Sequence, residues 1–148
     1  MESGKWYWEI YLHSASGGVF GIGVGQSRRG GALGSMLQHY GYSPNGNYYS
    51  TVGGNSSNSS YGAGLSAGDT IGVKFDADTR TLEFLKNNTS QGTKTVPVPG
   101  HGKIYLPQNH ANSASHSMNF GQDSTFNGTL SAGGNKDASG IGDFKYAV

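Results

Sequence analysis

The chain has 148 residues, with 26 glycines, no cysteine and a formal net charge of +1. This length is typical of a single domain, and the lack of cysteine excludes disulfides, zinc–thiolate sites and a cysteine nucleophile. Charged residues make up only 13% of the chain and Arg28–Arg29 is the only adjacent basic pair, so we expect no nucleic-acid partner. No apolar run approaches the roughly 20 residues of a membrane span, so we expect no membrane partner.

The first predicted element is "KWYWEIYL", residues 5–12. Its side chains alternate strictly, with Trp6, Trp8, Ile10 and Leu12 on one face and Tyr7, Glu9 and Tyr11 on the other. This period of two predicts a half-buried strand whose second face meets solvent.

The next element is "GVFGIGVG", in which the apolar residues Phe20, Ile22 and Val24 alternate with glycines. A face of glycines lets a bulky group approach the backbone closely, and we expect aromatic rings from a neighbouring strand to do so. The spacing G-x-G-x-G is not followed by a helical pattern, so a dinucleotide-binding turn is not predicted.

Residues 26–68 are mostly turn-forming and polar, with several tyrosines. We expect two short strands within this stretch, near Gln38–Tyr42 and Tyr48–Val52, and a loop over Asn55–Tyr61. Long polar loops on a β domain are commonly either functional or mobile.

Two aspartates, Asp76 and Asp78, stand one residue apart between the strand-like runs "TIGVKF" and "TLEFLKN". A helix-flanked calcium loop that began at Asp76 would need glycine at its sixth position and glutamate at its twelfth, where this chain has Thr81 and Asn87. Aspartate side chains also cap the backbone N–H groups of tight turns. The spacing therefore predicts a hairpin turn and no metal site.

The remaining elements are short. "NNTSQGT" predicts a second turn, and "KIYLPQ" and "SHSMNFG" predict two strands. Pro107 indicates that the first of these strands lies at a sheet edge or ends at the proline. From Asp123 to Val148 the chain is loop-rich. Together these elements predict one all-β domain over residues 1–148, an antiparallel β-sandwich with little or no helix.

The order of motifs resembles that of SPRY domains. "SGKWYWEIYL", "FGIGVG", "HYGYSPNGNYYS", "GDTIGVKFDADTRTLEFLKNN" and "MNFGQ" follow one another over about residues 3–122. The resemblance implies a bent β-sandwich of the concanavalin-like jelly-roll kind, which binds partners through loops without doing chemistry. Where the animal members have "WGW" or "WGY", this chain has "YGY", and their peptide-binding residues do not carry over clearly.

The final stretch, "NFGQDSTFNGTLSAGGNKDASGIGDFKYAV", resembles the C-terminal part of SPRY-like domains in tailed-phage and prophage structural proteins. Such domains usually continue past the "GDFKYAV" position, which leaves open that the chain is a piece of a longer protein. The resemblance implies a virion component made in the bacterial cytoplasm, on a tail fibre or as a capsid decoration, in which the chain forms a homo-oligomer.

The predicted binding residues lie in the tyrosine-rich stretch and the loop after it: Tyr40, Tyr42, Tyr48, Tyr49, Asn55 and Tyr61. Tyrosine offers an apolar face with a polar tip, and asparagine adapts its hydrogen bonds, so both suit a protein or cell-surface glycan. The competing interpretation is that Tyr42 and one of Tyr48 and Tyr49 fill the core.

Catalytic and metal sites are not predicted. The five histidines, His13, His39, His101, His110 and His116, lack metal-ligand spacing, and the nine acidic residues offer no evident carboxylate pair of the kind that glycosidases use. We therefore expect a non-enzymatic binding or structural module without a cofactor. The alternatives are a carbohydrate-active enzyme on a lectin-like sandwich and a peptide-binding adaptor.

Overall fold

The structure is a computed structural model that describes residues 1–25, 38–52, 55–98, 104–110 and 113–148. These residues form strands and turns and contain no helix. The strands are β1 (Lys5–Leu12), β2 (Val19–Gly25), β3 (Gln38–Tyr42), β4 (Asn47–Val52), β5 (Asn55–Ser60), β6 (Thr70–Asp76), β7 (Thr81–Lys86), β8 (Thr89–Thr95), β9 (Ile104–His110) and β10 (His116–Asn119).

The strands form two five-stranded antiparallel sheets. Sheet A has the order β10–β1–β6–β7–β8, and sheet B has the order β5–β4–β3–β2–β9. Pro107 lies in β9 at an edge of sheet B, where its missing N–H costs no ladder hydrogen bond. The predictions of an all-β antiparallel sandwich and of an edge position for Pro107 are confirmed.

The core lies between the sheets and is rich in aromatic rings. Sheet A contributes Trp8, Ile10, Leu12, Ile71, Val73, Phe75, Leu82 and Phe84, and sheet B contributes Phe20, Ile22, Tyr40, Tyr42, Tyr48 and Tyr105. Rings meet across the two layers: the centroids of Phe75 and Tyr105 are 4.8 Å apart, and those of Tyr42 and Phe84 are 5.7 Å apart.

The two aspartates between β6 and β7 build a turn. Asp76 Oδ1 accepts the backbone N–H groups of Asp78 at 2.9 Å and Thr79 at 3.0 Å, and Arg80 takes a positive φ of 60°. The Thr79 N–H bond lowers the pKa of the Asp76 carboxyl most; desolvation opposes it, and the Asp78 N–H bond adds to the lowering. The turn prediction is confirmed.

Two predicted loops are partly strands, which corrects the sequence interpretation. The stretch Asn55–Tyr61, predicted as a loop, contains β5. In the predicted second turn only Asn87 and Asn88 form the turn, both with positive φ, and the residues after them belong to β8. Serine, asparagine and glycine have little strand propensity of their own. Here the pairing with β4 and with β7 imposes the extended backbone.

Gly21, on the glycine face of β2, meets backbone and not aromatic rings, so that expectation was wrong for this residue. Gly21 and Gly41 are register partners on β2 and β3. A Cβ built on Gly21 would lie 2.1 Å from the Tyr40 carbonyl oxygen and 2.8 Å from the Gly41 Cα. Glycine is required here because the two backbones approach too closely for any side chain.

The strand predicted over residues 5–12 is confirmed, and Trp8, Ile10 and Leu12 are buried as expected. The expectation that its second face meets solvent was wrong. Glu9, on the supposed solvent face, has no exposed surface, whereas Trp6, on the supposed core face, is 46% exposed. Glu9 is buried because residues 123–148, the C-terminal segment, pack over the outer face of sheet A. Phe126 packs against Tyr11 with tilted rings whose centroids are 5.6 Å apart, and Phe144 meets Tyr7 edge-on at 5.2 Å.

Candidate binding surfaces

The six predicted binding residues do not lie on one surface. Tyr40, Tyr42 and Tyr48 point into the core and are 2%, 0% and 8% exposed. Tyr49 and Tyr61 are partly exposed and Asn55 is exposed. The competing interpretation, that tyrosines of this stretch fill the core, therefore describes Tyr42 and Tyr48, and also Tyr40. Whether the accessible residues contact a ligand stays a prediction.

Tyr61 joins a cluster of rings that closes one side of the sandwich. Its ring centroid lies 5.4 Å from that of Tyr42, 5.8 Å from that of Tyr48 and 6.0 Å from that of Phe84. Its hydroxyl donates to the backbone carbonyl of Gly92 in β8, which ties the chain after β5 to sheet A. Burial raises the pKa of both Tyr42 and Tyr61 to about 12. These tyrosines are structural parts of the fold, whatever else they do.

Lys94 of β8 completes this ring cluster. Its ammonium lies 5.4 Å from the centroid of Tyr48 and 5.5 Å from that of Tyr61, within the range of a cation–π interaction. Within the described ranges the ion pair between Lys86 and Asp69, at 3.2 Å, is the only one, so no carboxylate of these residues neutralises Lys94. This side of the sandwich thus carries a cation held over two aromatic faces.

The outer face of sheet B carries the accessible part of the predicted site. Because Tyr48 points inward, its neighbour Tyr49 points outward, and its register partners are Gly41 on β3 and Asn58 on β5. Beyond it, β5 is exposed at all six positions. The result is a polar surface of short side chains around one aromatic ring, bounded by an open strand edge.

A concavity, the sheet A groove, lies on the other side of the core from the outer face of sheet B. It has a volume of about 760 Å³ and is lined by side chains of β1, β6 and β7 and by residues of the C-terminal segment. Trp6 and Phe120 border it with 46% and 54% of their surface exposed. Its volume falls in the range of small-molecule sites, about 300–1,000 Å³. No sequence pattern pointed to it, because its two halves are far apart in the chain.

Three carboxylates line the sheet A groove: Asp76, Glu83 and Asp137. Each already accepts hydrogen bonds from its own surroundings: Asp76 caps its turn, Glu83 accepts from the hydroxyl of Ser90, and Asp137 Oδ1 accepts the N–H groups of Ser139 and Ile141, both at 2.9 Å. A glycosidase acid must hold its proton near neutral pH through a raised pKa. The pKa of the Asp76 carboxyl is shifted in the opposite direction, downward, by the N–H bonds that it accepts.

Glu9 ties the C-terminal segment to sheet A. Its Oε1 accepts the backbone N–H of Tyr146 at 2.8 Å and the hydroxyl of Tyr7 at 3.1 Å. Its Oε2 accepts the backbone N–H of Lys145 at 2.8 Å and the amide of Asn119 at 3.1 Å. Burial, followed by the charge of Glu9, raises the pKa of the Tyr7 hydroxyl. A glutamate among the apolar and aromatic residues 6–12 of β1 was the only signal in the sequence for this arrangement.

Among the described residues, no group of three or more His, Cys, Asp or Glu side chains is placed to hold a metal ion. The ring of His13 shares a 2.8 Å hydrogen bond with the hydroxyl of Ser117, and that of His116 packs edge-on against Phe20 at 5.5 Å. His101 and the pair Arg28–Arg29 lie outside the described residues. No helix of the described part of the chain has the length and apolarity needed to cross a membrane.

Comparison with known proteins agrees with this architecture. The family model for the SPRY domain matches residues 5–123, which is well over half of the chain and runs from β1 past the end of β10. The chain matches no curated protein at a significant level. SPRY domains are typically protein-binding modules. From this match, and from two antiparallel sheets without a described helix, we conclude that the chain belongs to the SPRY domain family.

Proposed function

We propose that this SPRY domain is a non-enzymatic module that binds a partner protein through the outer face and open edge formed by β4 and β5. The observation that carries the proposal is the position of Tyr49. It is a partly exposed aromatic ring on a rigid strand, surrounded by the exposed polar side chains of β5. Rigid tyrosines beside adaptable polar groups are typical of protein recognition surfaces.

The non-enzymatic part of the proposal rests on the carboxylates. The buried Glu9 is held by four donors as a structural acceptor. Hydrogen bonds outweigh desolvation at Asp69, Asp76, Asp123 and Asp143 and hold the pKa of each of these carboxyls below its ordinary value. A low pKa keeps a carboxylate ionised at neutral pH, which is the opposite of what a general acid needs.

The narrower proposal is that the domain serves in a phage particle, as part of a tail fibre or a capsid decoration, and as a homo-oligomer there. Its support is the resemblance of residues 119–148 to the C-terminal part of phage SPRY-like domains. Mass spectrometry of purified virions from a lysogen that carries the gene tests it. The chain should co-purify with the particles, and its absence from them would contradict this part.

The protein-binding proposal can be tested without knowing the partner. Random twelve-residue peptides displayed on phage are selected on the immobilised domain, and the binders are measured by biolayer interferometry. Tyr49→Ala should weaken binding at least tenfold, since tyrosines that a partner buries are frequent hot spots. Asn55→Ala should weaken it less. Thr93→Ala, an exposed substitution on β8 of the other sheet, is the matched control and should change nothing. Binders that tolerate all three substitutions would place recognition elsewhere.

A glycan is the second candidate ligand, and the sheet A groove favours it. The half-exposed rings of Trp6 and Phe120 provide stacking faces, and Lys5, Lys74 and Glu83 provide polar groups of both signs. Trp6→Ala should abolish binding on a glycan array while Val98→Ala, at another exposed apolar side chain, leaves it intact. An array on which the parent domain binds no glycan would remove this candidate.

A further inference from the structure

The four edge strands of the sandwich differ in how they are protected against pairing with another chain. Natural sheets blunt their edges with proline, lysine, bulges or very short strands. β9 carries Pro107, and β10 has only four residues. β8 carries Lys94, and its pairing with β7 shifts register between Glu83 and Leu85. Three of the four edges therefore carry at least one such device.

The fourth edge, β5, carries none. Its sequence "NSSNSS" has no charge and no proline, all six residues are exposed, and its pairing with β4 is regular from one end to the other. It is also six residues long, which is a typical length for a complete strand. This edge is open in a way that the others are not.

The hydrogen-bond pattern shows which groups of β5 are free. In an antiparallel pair the N–H and C=O groups of successive residues point alternately toward and away from the partner. The N–H of Tyr61 bonds the carbonyl of Gly46 at 3.0 Å, so Asn55, Ser57 and Ser59 also face β4. The backbone groups of Ser56, Asn58 and Ser60 consequently point outward, with a spacing of roughly 6.8 Å that matches an added strand.

We propose that β5 binds its partner by strand addition, taking up an extended segment of another protein that carries an acidic side chain on its inward face. The inference rests on the proposed protein-binding function and names the edge and the chemistry of the partner. Main-chain hydrogen bonds to Ser56, Asn58 and Ser60 supply affinity, and side-chain contacts supply selectivity.

The acidic side chain follows from Lys94. Ser59 is the register partner of the inward-pointing Tyr48, so it shares the inner face of sheet B with that ring. The Lys94 ammonium lies over the same ring and pairs with no carboxylate among the described residues. A residue of the added strand opposite Ser59 has its Cβ about 5 Å from that of Ser59, which brings an aspartate or glutamate toward this cation.

A second copy of the chain fits the edge less well. Pairing β5 with another β5 would offer only the serine and asparagine side chains of Asn55, Ser57 and Ser59 to the inner face, with no carboxylate for Lys94. These small polar side chains would also bury little apolar surface, which is the main source of stability in a dimer. Self-association is therefore an outcome of the test that counts against the proposal.

The test compares two substitutions at one residue. Asn58→Pro removes an outward N–H and leaves the ladder with β4 intact, whereas Asn58→Ala removes the side chain and keeps the backbone donor. Peptides selected from the displayed twelve-residue library should bind the Asn58→Ala variant within about threefold of the parent and the Asn58→Pro variant at least tenfold more weakly. Lys94→Met should weaken binding of acidic peptides about tenfold and remove its salt dependence.

Amide exchange of the parent domain tests the same point without a substitution. A bound peptide should slow exchange at Ser56, Asn58 and Ser60 and leave Asn55, Ser57 and Ser59, already bonded to β4, unchanged. This alternation distinguishes strand addition from any contact through side chains, and it decides the matter if the proline variant does not fold.

The outcomes separate the inference from the proposed function. Peptides that bind the Asn58→Pro variant as well as the parent but lose affinity with Tyr49→Ala would overturn strand addition and keep protein binding. A library that yields no binder would overturn both. A parent that dimerises in a concentration-dependent way, with the Asn58→Pro variant monomeric, would assign the edge to a second copy and overturn the proposal.

Discussion

Glu9→Gln removes one charge and one acceptor from the tie between sheet A and the C-terminal segment. Whichever way the new amide turns, its NH₂ group replaces an oxygen that accepts a backbone N–H, from Tyr146 at Oε1 or from Lys145 at Oε2. The hydroxyl of Tyr7 can rotate to become an acceptor, but a backbone N–H cannot. One buried N–H is therefore left without a partner.

The cost follows from counting these bonds. An unsatisfied buried donor costs about 1–3 kcal/mol, and the two bonds that remain at the other oxygen change from charge-assisted to neutral, at about 1 kcal/mol each. The neutral amide recovers part of this, because it is cheaper to bury than a carboxylate. We expect a net loss of about 3 kcal/mol in the free energy that holds the C-terminal segment on the sheet.

The assay is native-state amide exchange at Lys145 and Tyr146. Because their N–H groups regain water when the segment lifts off, a loss of about 3 kcal/mol should speed their exchange roughly a hundredfold, at 1.4 kcal/mol per factor of ten. Glu83→Gln is the matched control. It makes the same chemical change on the outer face of the same sheet, where the carboxylate bonds one exposed hydroxyl, and should alter exchange at these amides less than twofold.

Equal exchange rates in the Glu9→Gln and Glu83→Gln variants would refute the reasoning. They would mean that aromatic packing, such as that of Phe144 on Tyr7, holds the segment and that the carboxylate contributes nothing net. Faster exchange at the core amides of β6 as well would show that the segment and the sandwich open as one unit.

Three further predictions concern stability. Gly21→Ala should lower the free energy of unfolding by more than about 2 kcal/mol in urea titrations, because the new Cβ would overlap the Tyr40 carbonyl oxygen. The control is Gly64→Ala, whose Cβ would meet nothing closer than 3.4 Å and which should change the free energy of unfolding by less than about 1 kcal/mol. Equal losses in the two variants would contradict the close approach of the two backbones at Gly21. Burial raises the folded-state pKa of Tyr42 and Tyr61 to about 12, above the unfolded value of about 10. Ionisation of these tyrosines should therefore leave the free energy of unfolding unchanged below about pH 10 and lower it as the pH rises toward 12. A urea midpoint that is the same at pH 8 and pH 11 would be inconsistent with this. A chelator should leave the melting temperature unchanged, because the aspartates of the β6–β7 turn bond backbone N–H groups; a drop of several degrees would reveal a bound ion.

The sequence by itself determined the fold class and the elements whose signals are local. Alternation in β6 and β7 requires one buried face, and the cap by Asp76 uses N–H groups two and three residues away. Such features depend on neighbouring residues only, so period and spacing were sufficient to predict them. The order of these local motifs was also enough to indicate the family.

The strands β5 and β8 were decided by tertiary pairing. Their serine, asparagine and glycine residues carry no apolar alternation, and they are extended because they pair with β4 and with β7. A pattern of periodicity detects burial, and these edge strands bury little. The candidate binding edge was therefore mistaken for a loop.

The assembled sandwich alone likewise decided which tyrosines point into the core and that Glu9 is buried. A shift of one residue exchanges the two faces of a strand, so composition could not separate the buried Tyr48 from the outward Tyr49. Glu9 is buried by backbone groups 136 and 137 positions further along the chain. Its two oxygens are satisfied by donors that come together only after the C-terminal segment has folded over sheet A, and no local pattern encodes such a long-range contact.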